Sequence, residues 1–290
     1  MITFFFVYLH RNKDLHYKGK YIMKRLILLV PLISMAIISF SQTNYKEKTV
    51  FKNENVEFRQ IDEHTWHGNG HLVYNESVYL IEGDSAAILI DAGTYIPGLR
   101  KIAEDIVKKP VTLIISHAHS DHAGTAISEW DTMWMNAGDI PLLSQGRNGF
   151  KGTVRYLTDG QVFDLGGRHI EVVFTPGHTA GSATFIDREH HYGFSSDAFG
   201  STNLLVFTNL STQLSTCQRM QRFIRKYDIC YFYPGHYSGD NLETPQRVAD
   251  VAAICQDILD GKVTPKRGDN RSVPNVVERN GVKVNYSVVY

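Results

Sequence analysis

The stretch Val111-Thr-Leu-Ile-Ile-Ser116-His117-Ala-His119-Ser-Asp121-His122-Ala-Gly124 decides how this chain is read. An apolar-leaning run ends in four metal-capable side chains, and Ala-Gly-Thr-Ala-Ile then reads as the start of a helix. Residues two apart on an extended strand point the same way, so His117 and His119 can share one ion. Asp121 and His122 sit where the chain turns into the helix and can face a second. A polar loop with incidental histidines is the plain alternative. It accounts for a lone histidine, but not for the partners that recur downstream.

Those partners are His178 in Thr175-Pro-Gly-His-Thr-Ala-Gly181, Asp197 in Ser195-Ser-Asp-Ala198, and His236 in Tyr233-Pro-Gly-His-Tyr237. Each follows an apolar, β-like run, so each is expected at the end of a strand. Imidazole nitrogens with carboxylate oxygens suit zinc. Iron and manganese accept such sets too, whereas calcium and magnesium favour all-oxygen shells. No G-x-S-x-G nucleophile elbow is present.

HAHSDHAG resembles the HxHxDH signature of the metallo-β-lactamase-fold superfamily. Ser77-Val-Tyr-Leu-Ile-Glu-Gly-Asp84, Ile88-Leu-Ile-Asp-Ala-Gly93 and the PGHTAGS run ending at Ser182 fit the same pattern, and the resemblance spans about residues 55–260. It implies an α/β fold of α+β type: a four-layer αββα sandwich, two mixed β-sheets with helices on the outer faces. It also implies two zinc ions per chain, with iron or manganese as substitutes. His117, His119 and His178 would take one ion and Asp121, His122 and His236 the other, with Asp197 bridging. Asp91 would orient a ligand histidine. Two ions sharing a water bring its pKa from 15.7 toward about 7, and Asp121 would orient the resulting nucleophile or accept its proton.

The implied function is an exported dinuclear zinc hydrolase of an ester, thioester, lactone or amide bond, acting through a metal-bound hydroxide on a small-molecule substrate. Two alternatives belong to the same resemblance. A β-lactamase is one, although its best-known representatives carry Cys where Asp197 stands. An iron-dependent sulfur dioxygenase-like oxidoreductase is the other, although such relatives use fewer protein ligands. A fold alone does not choose among these.

The chain has 290 residues, enough for one large domain, and 30 basic against 30 acidic residues. That balance carries no nucleic-acid footprint. Met23-Lys-Arg25, the apolar Leu26–Phe40 stretch and the small residues Ser39 and Ser41 read as a signal peptide. Translation is expected to start at Met23, and the mature chain is expected in the periplasm or secreted, without a membrane span. The domain reading is 1–41 for extension and signal, 50–265 for the catalytic domain, and 266–290 for a C-terminal β-hairpin extension turning at Asn280-Gly281. Cys217, Cys230 and Cys255 lie outside every ligand motif and read as small hydrophobes.

Two stretches are expected to line the substrate cleft. Asp62–His71 holds Trp66 among three histidines and two glycines; the resemblance implies a hairpin or loop over the mouth, and a turn with one aromatic packed on the sheet is the plain alternative. The Gly-rich segment 145–153 contributes Arg147 and Lys151, a basic wall.

Overall fold

A computed structural model describes residues 47–73, 75–145 and 150–290. The segment 1–41 with its signal reading, the start at Met23, and Arg147 lie outside the described residues.

The first sheet has eight strands in sequence order: β1 (Lys48–Lys52), β2 (Val56–Asp62), β3 (Thr65–Gly70), β4 (Ser77–Glu82), β5 (Ala87–Ile90), β6 (Val111–Ile114), β7 (Thr132–Met135) and β8 (Thr153–Tyr156). Pairing is antiparallel through β5 and parallel from β5 to β8. Helix α1 (Leu99–Val107) makes the crossover from β5 to β6, and α2 (Ile140–Gln145) follows β7. The second sheet holds β9 (Val162–Asp164), β10 (His169–Phe174), β11 (Ala183–Asp187), β12 (Tyr192–Ser196) and β14 (Tyr231–Pro234). A third, four-stranded sheet joins β13 (Asn203–Val206), β15 (Lys266–Arg267), β16 (Asn275–Arg279) and β17 (Val282–Tyr286). Helices α3 (Leu210–Tyr227) and α4 (Pro245–Leu259) follow β13 and β14.

Period-two alternation builds the layers. On β4, Val78 and Leu80 face a core shared with Leu99, Ala103 and Val107 of α1. Tyr79 and Ile81 face the other way, into a core with Ile170, Phe185 and Phe194 of the second sheet. The third core sets Ile186 and Phe232 against Met220 of α3 and Val251 of α4. Helix, sheet, sheet, helix is therefore the observed order, with mixed sheets in the middle.

Several local readings need correction. Asp62–His71 takes the hairpin form, turning between β2 and β3, with its aromatic packed on the sheet and not over the mouth. It is largely strand, and β3 buries Trp66 at 7% exposure in the helix-side core. Its glycines suggested a turn, but Gly68 serves packing: a Cβ there would meet Val78 at 2.6 Å and Phe58 at 2.7 Å. The helix expected from Asp121 shrinks to a 3₁₀ turn at Thr125–Glu129. Gly124 lies against the Gly93 carbonyl, accepts no Cβ, and stands where the ligand loop passes into that 3₁₀ turn.

The terminal hairpin, read as an extension at 266–290, is part of the fold. β17 pairs in parallel with β13, and Val277, Val284 and Tyr286 share the core of α3 and α4. β1 is an edge strand. Its residues are mostly exposed, while Phe51 packs on the helix-side core.

At one end of the sandwich, Arg168 knits the layers together. It donates from Nε to Asp187 at 2.7 Å, and from its Nη atoms to Thr65 Oγ1 at 2.8 Å and the His64 carbonyl at 2.9 Å. Tyr192 OH joins the cluster and hydrogen-bonds Asp62.

Candidate metal centre

Topology brings the ligand loops to the other end. β10 and β12 both run antiparallel to β11, and β14 runs parallel to β12. All three therefore finish at one edge, and His178, Asp197 and His236 follow directly after them. β5 and β6 are parallel as well, so Asp91 and the 117–122 cluster leave from a common edge of the first sheet. The Ala183 N–H donates to the Ser116 carbonyl at 2.9 Å and ties the two edges together.

The structure brings all seven expected ligand residues together. His117, His119 and His178 form one group able to hold an ion, and Asp121, His122 and His236 form another. His117, His122 and Asp197 form a third, overlapping group. His119 Nδ1 lies 3.1 Å from His117 Nε2 and 2.9 Å from His178 Nε2. A tetrahedral shell with bonds of about 2.0–2.1 Å holds its ligand atoms roughly 3.3 Å apart, so these nitrogens already stand near that spacing. Asp197 spans the groups: Oδ2 is 3.4 Å from His178 Nε2 and 3.5 Å from His236 Nε2, and Oδ1 is 3.7 Å from His122 Nε2. Asp121 Oδ2 reaches His236 and His122 at 3.6 and 3.7 Å.

Surrounding hydrogen bonds set the tautomers. His178 Nδ1 pairs with the Leu205 carbonyl at 2.7 Å, so the ring donates there and turns an Nε2 lone pair inward. His122 Nδ1 pairs with Asp91 Oδ2 at 2.9 Å, and its buried Nε2 has no hydrogen-bond partner. An orphaned, inward-facing lone pair beside two carboxylates fits a cation. Asp91, held at a left-handed φ of 67°, also accepts from the Ser116 N–H and hydroxyl, both at 2.7 Å.

Electrostatics point the same way. Burial and the neighbouring imidazoles hold His117 well below the usual histidine range, and burial takes His119 down to about 4. Burial likewise lowers His178. His122 is opposed by burial, yet Asp197, Asp121 and Asp91 raise it to about 10. Neutral donors on one side and a carboxylate cradle that seeks positive charge on the other are what a pair of divalent ions requires.

Sequence reasoning missed three supports. Buried Asp139 accepts from the Ala118 N–H, between two ligand histidines, and from Thr179 and Gly181 beside a third. Gly235 is obligatory, since a Cβ would lie 2.2 Å from Asp197 Oδ1 and 2.8 Å from His122 Cε1. Phe207 stands edge-on to His119 and His178, with ring centroids 5.3 and 5.4 Å away. The repeated Pro-Gly-His was a signal for Gly235, whereas Asp139 and Phe207 sit in no motif. Of the residues expected to touch substrate, Trp66 is in the core, and Lys151 is exposed and absent from the cleft beside the ligands.

The sequence pattern of the Metallo-beta-lactamase superfamily matches residues 72–132, the segment from β4 through the HAHSDH cluster. The chain belongs to the metallo-beta-lactamase superfamily. It is 24% identical over 230 residues to the human acyl-coenzyme A thioesterase MBLAC2, covering 63% of this chain and 81% of that one. It is 26% identical over 113 residues to hydroxyacylglutathione hydrolase of Xylella fastidiosa, covering 38% and 40%. The metallo-beta-lactamase of Pontibacter korlensis shares the fold with a TM-score of 0.56 at 18% identity, covering 70% of this chain and all of that one. FIM-1 of Pseudomonas aeruginosa does so at 0.54 and 16%, covering 72% and 98%. Like other superfamily hydrolases, this enzyme is metal-dependent, and its His/Asp cluster is the candidate metal site.

Proposed function

We propose that this superfamily member is a dinuclear zinc hydrolase that cleaves the acyl bond of an ester or thioester. The position of Asp197 carries the reading, because one carboxylate spans both ligand groups. His117, His119 and His178 would hold one ion, Asp121, His122 and His236 the second, and Asp197 both. Bound there, the ions would supply Lewis acidity and a water acidified to near neutrality. Asp121, partly open to solvent and 3.6 Å from His236, would orient that water and take up its proton. Asp91 holds His122 in the required tautomer. The names of two relatives, an acyl-coenzyme A thioesterase and a hydroxyacylglutathione hydrolase, support acyl hydrolysis over other chemistries of the superfamily.

The test joins metal analysis to a substrate panel. Purified protein should hold close to two ions per chain, mostly zinc, and His178→Ala and His236→Ala should each lose one. Aryl ester and thioester hydrolysis should exceed nitrocefin hydrolysis in kcat/KM. Folded protein holding fewer than one ion after zinc addition would sink the dinuclear reading, and efficient nitrocefin turnover without esterase activity would make it a β-lactamase.

Export belongs to the same proposal. The basic, apolar and small-residue segments from Met23 to Ser41 support cleavage near Ser41. N-terminal sequencing of the secreted or periplasmic form should begin close to Gln42, and a mature chain beginning at Met1 would refute it.

A further inference from the structure

A cleft of about 720 Å³ opens beside His178, Asp197 and His236. Most of its lining residues carry polar side chains. Asn203, Asn241, Asn270 and Asn285 all line it, and Leu205 is the sole aliphatic side chain among the described lining residues. A long acyl chain would meet one aliphatic side chain there and would otherwise strip water from amide and hydroxyl groups.

Lys283 is the sole lysine or arginine among those lining residues. It is half-buried, and no ion pair with a described residue engages it. Asp269 lines the same cleft but is exposed and does not pair with it. The backbone at Lys283 is fixed, since β17 sets it opposite Asn203 of β13, and its N–H donates to the Thr202 carbonyl at 3.3 Å. Asn285 locks the same strands by donating to Asn203 Oδ1 at 2.6 Å and the Leu204 carbonyl at 3.1 Å. A half-buried lysine on a rigid strand, lining the cleft and ion-paired with neither Asp197 nor Asp269, is arranged to meet an anion on a ligand.

We propose that Lys283 selects substrates by a carboxylate, so that the cleft takes a short, hydrophilic acyl ester or thioester bearing one. This rests on the acyl-hydrolase reading above. A single ammonium matches a singly charged carboxylate better than a phosphate dianion, and the asparagine amides supply donors and acceptors for the remaining polar atoms. The cation of the cleft thus comes from the terminal hairpin and not from the 145–153 segment.

The metal-loaded enzyme is assayed on acetyl, succinyl and octanoyl thioesters of one thiol. Succinyl should lead acetyl in kcat/KM by roughly tenfold, the scale of one charge-assisted hydrogen bond, and octanoyl should come last. Lys283→Gln should cut the succinyl-to-acetyl ratio roughly tenfold through KM. Lys283→Arg should keep most of it, and Lys262→Gln, outside the cleft, should leave the ratio alone. Added KCl should raise the wild-type KM for the succinyl ester more than for the acetyl ester. Calorimetry with succinate reads the same contact without turnover and should show weaker binding by Lys283→Gln. An unchanged ratio with unchanged succinate binding in folded Lys283→Gln, or octanoyl as the best substrate, overturns the proposal. Succinate binding that depends on Lys283, with no thioester or ester turned over, overturns the acyl-hydrolase reading instead.

Discussion

Asp139 Oδ1 accepts a hydrogen bond from the backbone N–H of Gly181 at 2.6 Å. Its other oxygen accepts from the Ala118 N–H at 3.0 Å and the Thr179 hydroxyl at 2.7 Å. One buried carboxylate thus binds the loop of His117 and His119 to the loop of His178. Asp139→Asn puts an amide donor against one of these donors, at a cost of about 1–3 kcal/mol. Zinc affinity should fall roughly 10–100-fold, as for other groups that orient ligands. Chelator competition measures it. Full affinity in the variant would make Asp139 a matter of fold stability alone.

Gly235→Ala places a methyl group where Asp197 and His122 approach. The clash lies at the ends of strands and not between the sheets. The variant should therefore keep its circular dichroism while losing bound metal. Equal metal content in variant and wild type would show that the loop yields without moving Asp197.

Asp121→Asn keeps shape and removes charge. Turnover should drop roughly 10²-fold or more, in line with lost general-base help. Metal content is measured alongside, because Asp121 also belongs to a ligand group. A fully loaded, fully active Asn variant would relieve Asp121 of the proton-accepting role.

His67 gives a pH signature. Burial, reinforced by Arg59, pushes it down to about 3, and its Nε2 lies 3.0 Å from Ser77 Oγ. The unfolded chain binds this proton below about pH 6.5 and the folded chain only near 3, so acid favours unfolding. The neutral ring's contribution is whole above 6.5 and is lost as pH falls toward 3, by up to about 4–5 kcal/mol. His67→Gln removes the titration. Denaturant unfolding should therefore show a shallower loss of stability for the variant between pH 6.5 and 4. Parallel curves would assign acid sensitivity to other groups.

The sequence was most legible where chemistry and periodicity coincide. The apolar run before HAHSDH became β6, and the Pro-Gly-His and Ser-Ser-Asp stretches sit at strand ends because alternation marks strands whatever follows them. Legibility failed where a residue's partner lies far along the chain. Trp66 read equally as a substrate contact or as an aromatic packed on the sheet, and only Val78 and Phe58, packed against Gly68, decide for the second. Asp139 has no local pattern, since its acceptors' partners are 21 and 42 residues away. The terminal hairpin showed its turn at Asn280-Gly281 but not its parallel neighbour, because β13 is four residues long and nearly featureless.

Arg168 closes the sandwich at the start of β10, and His178 follows the end of the same strand. Each end of the molecule is thus held by a different kind of bond. Arg168, Asp187 and Thr65 make a latch built wholly from the chain's own side chains. The opposite rim gathers carboxylates and imidazoles, a donor set that a bound cation would draw together. Chelation should then slacken one rim while the other stays shut, and amide exchange should quicken around residues 117–122 and 177–181 well before it does at residues 187 and 192.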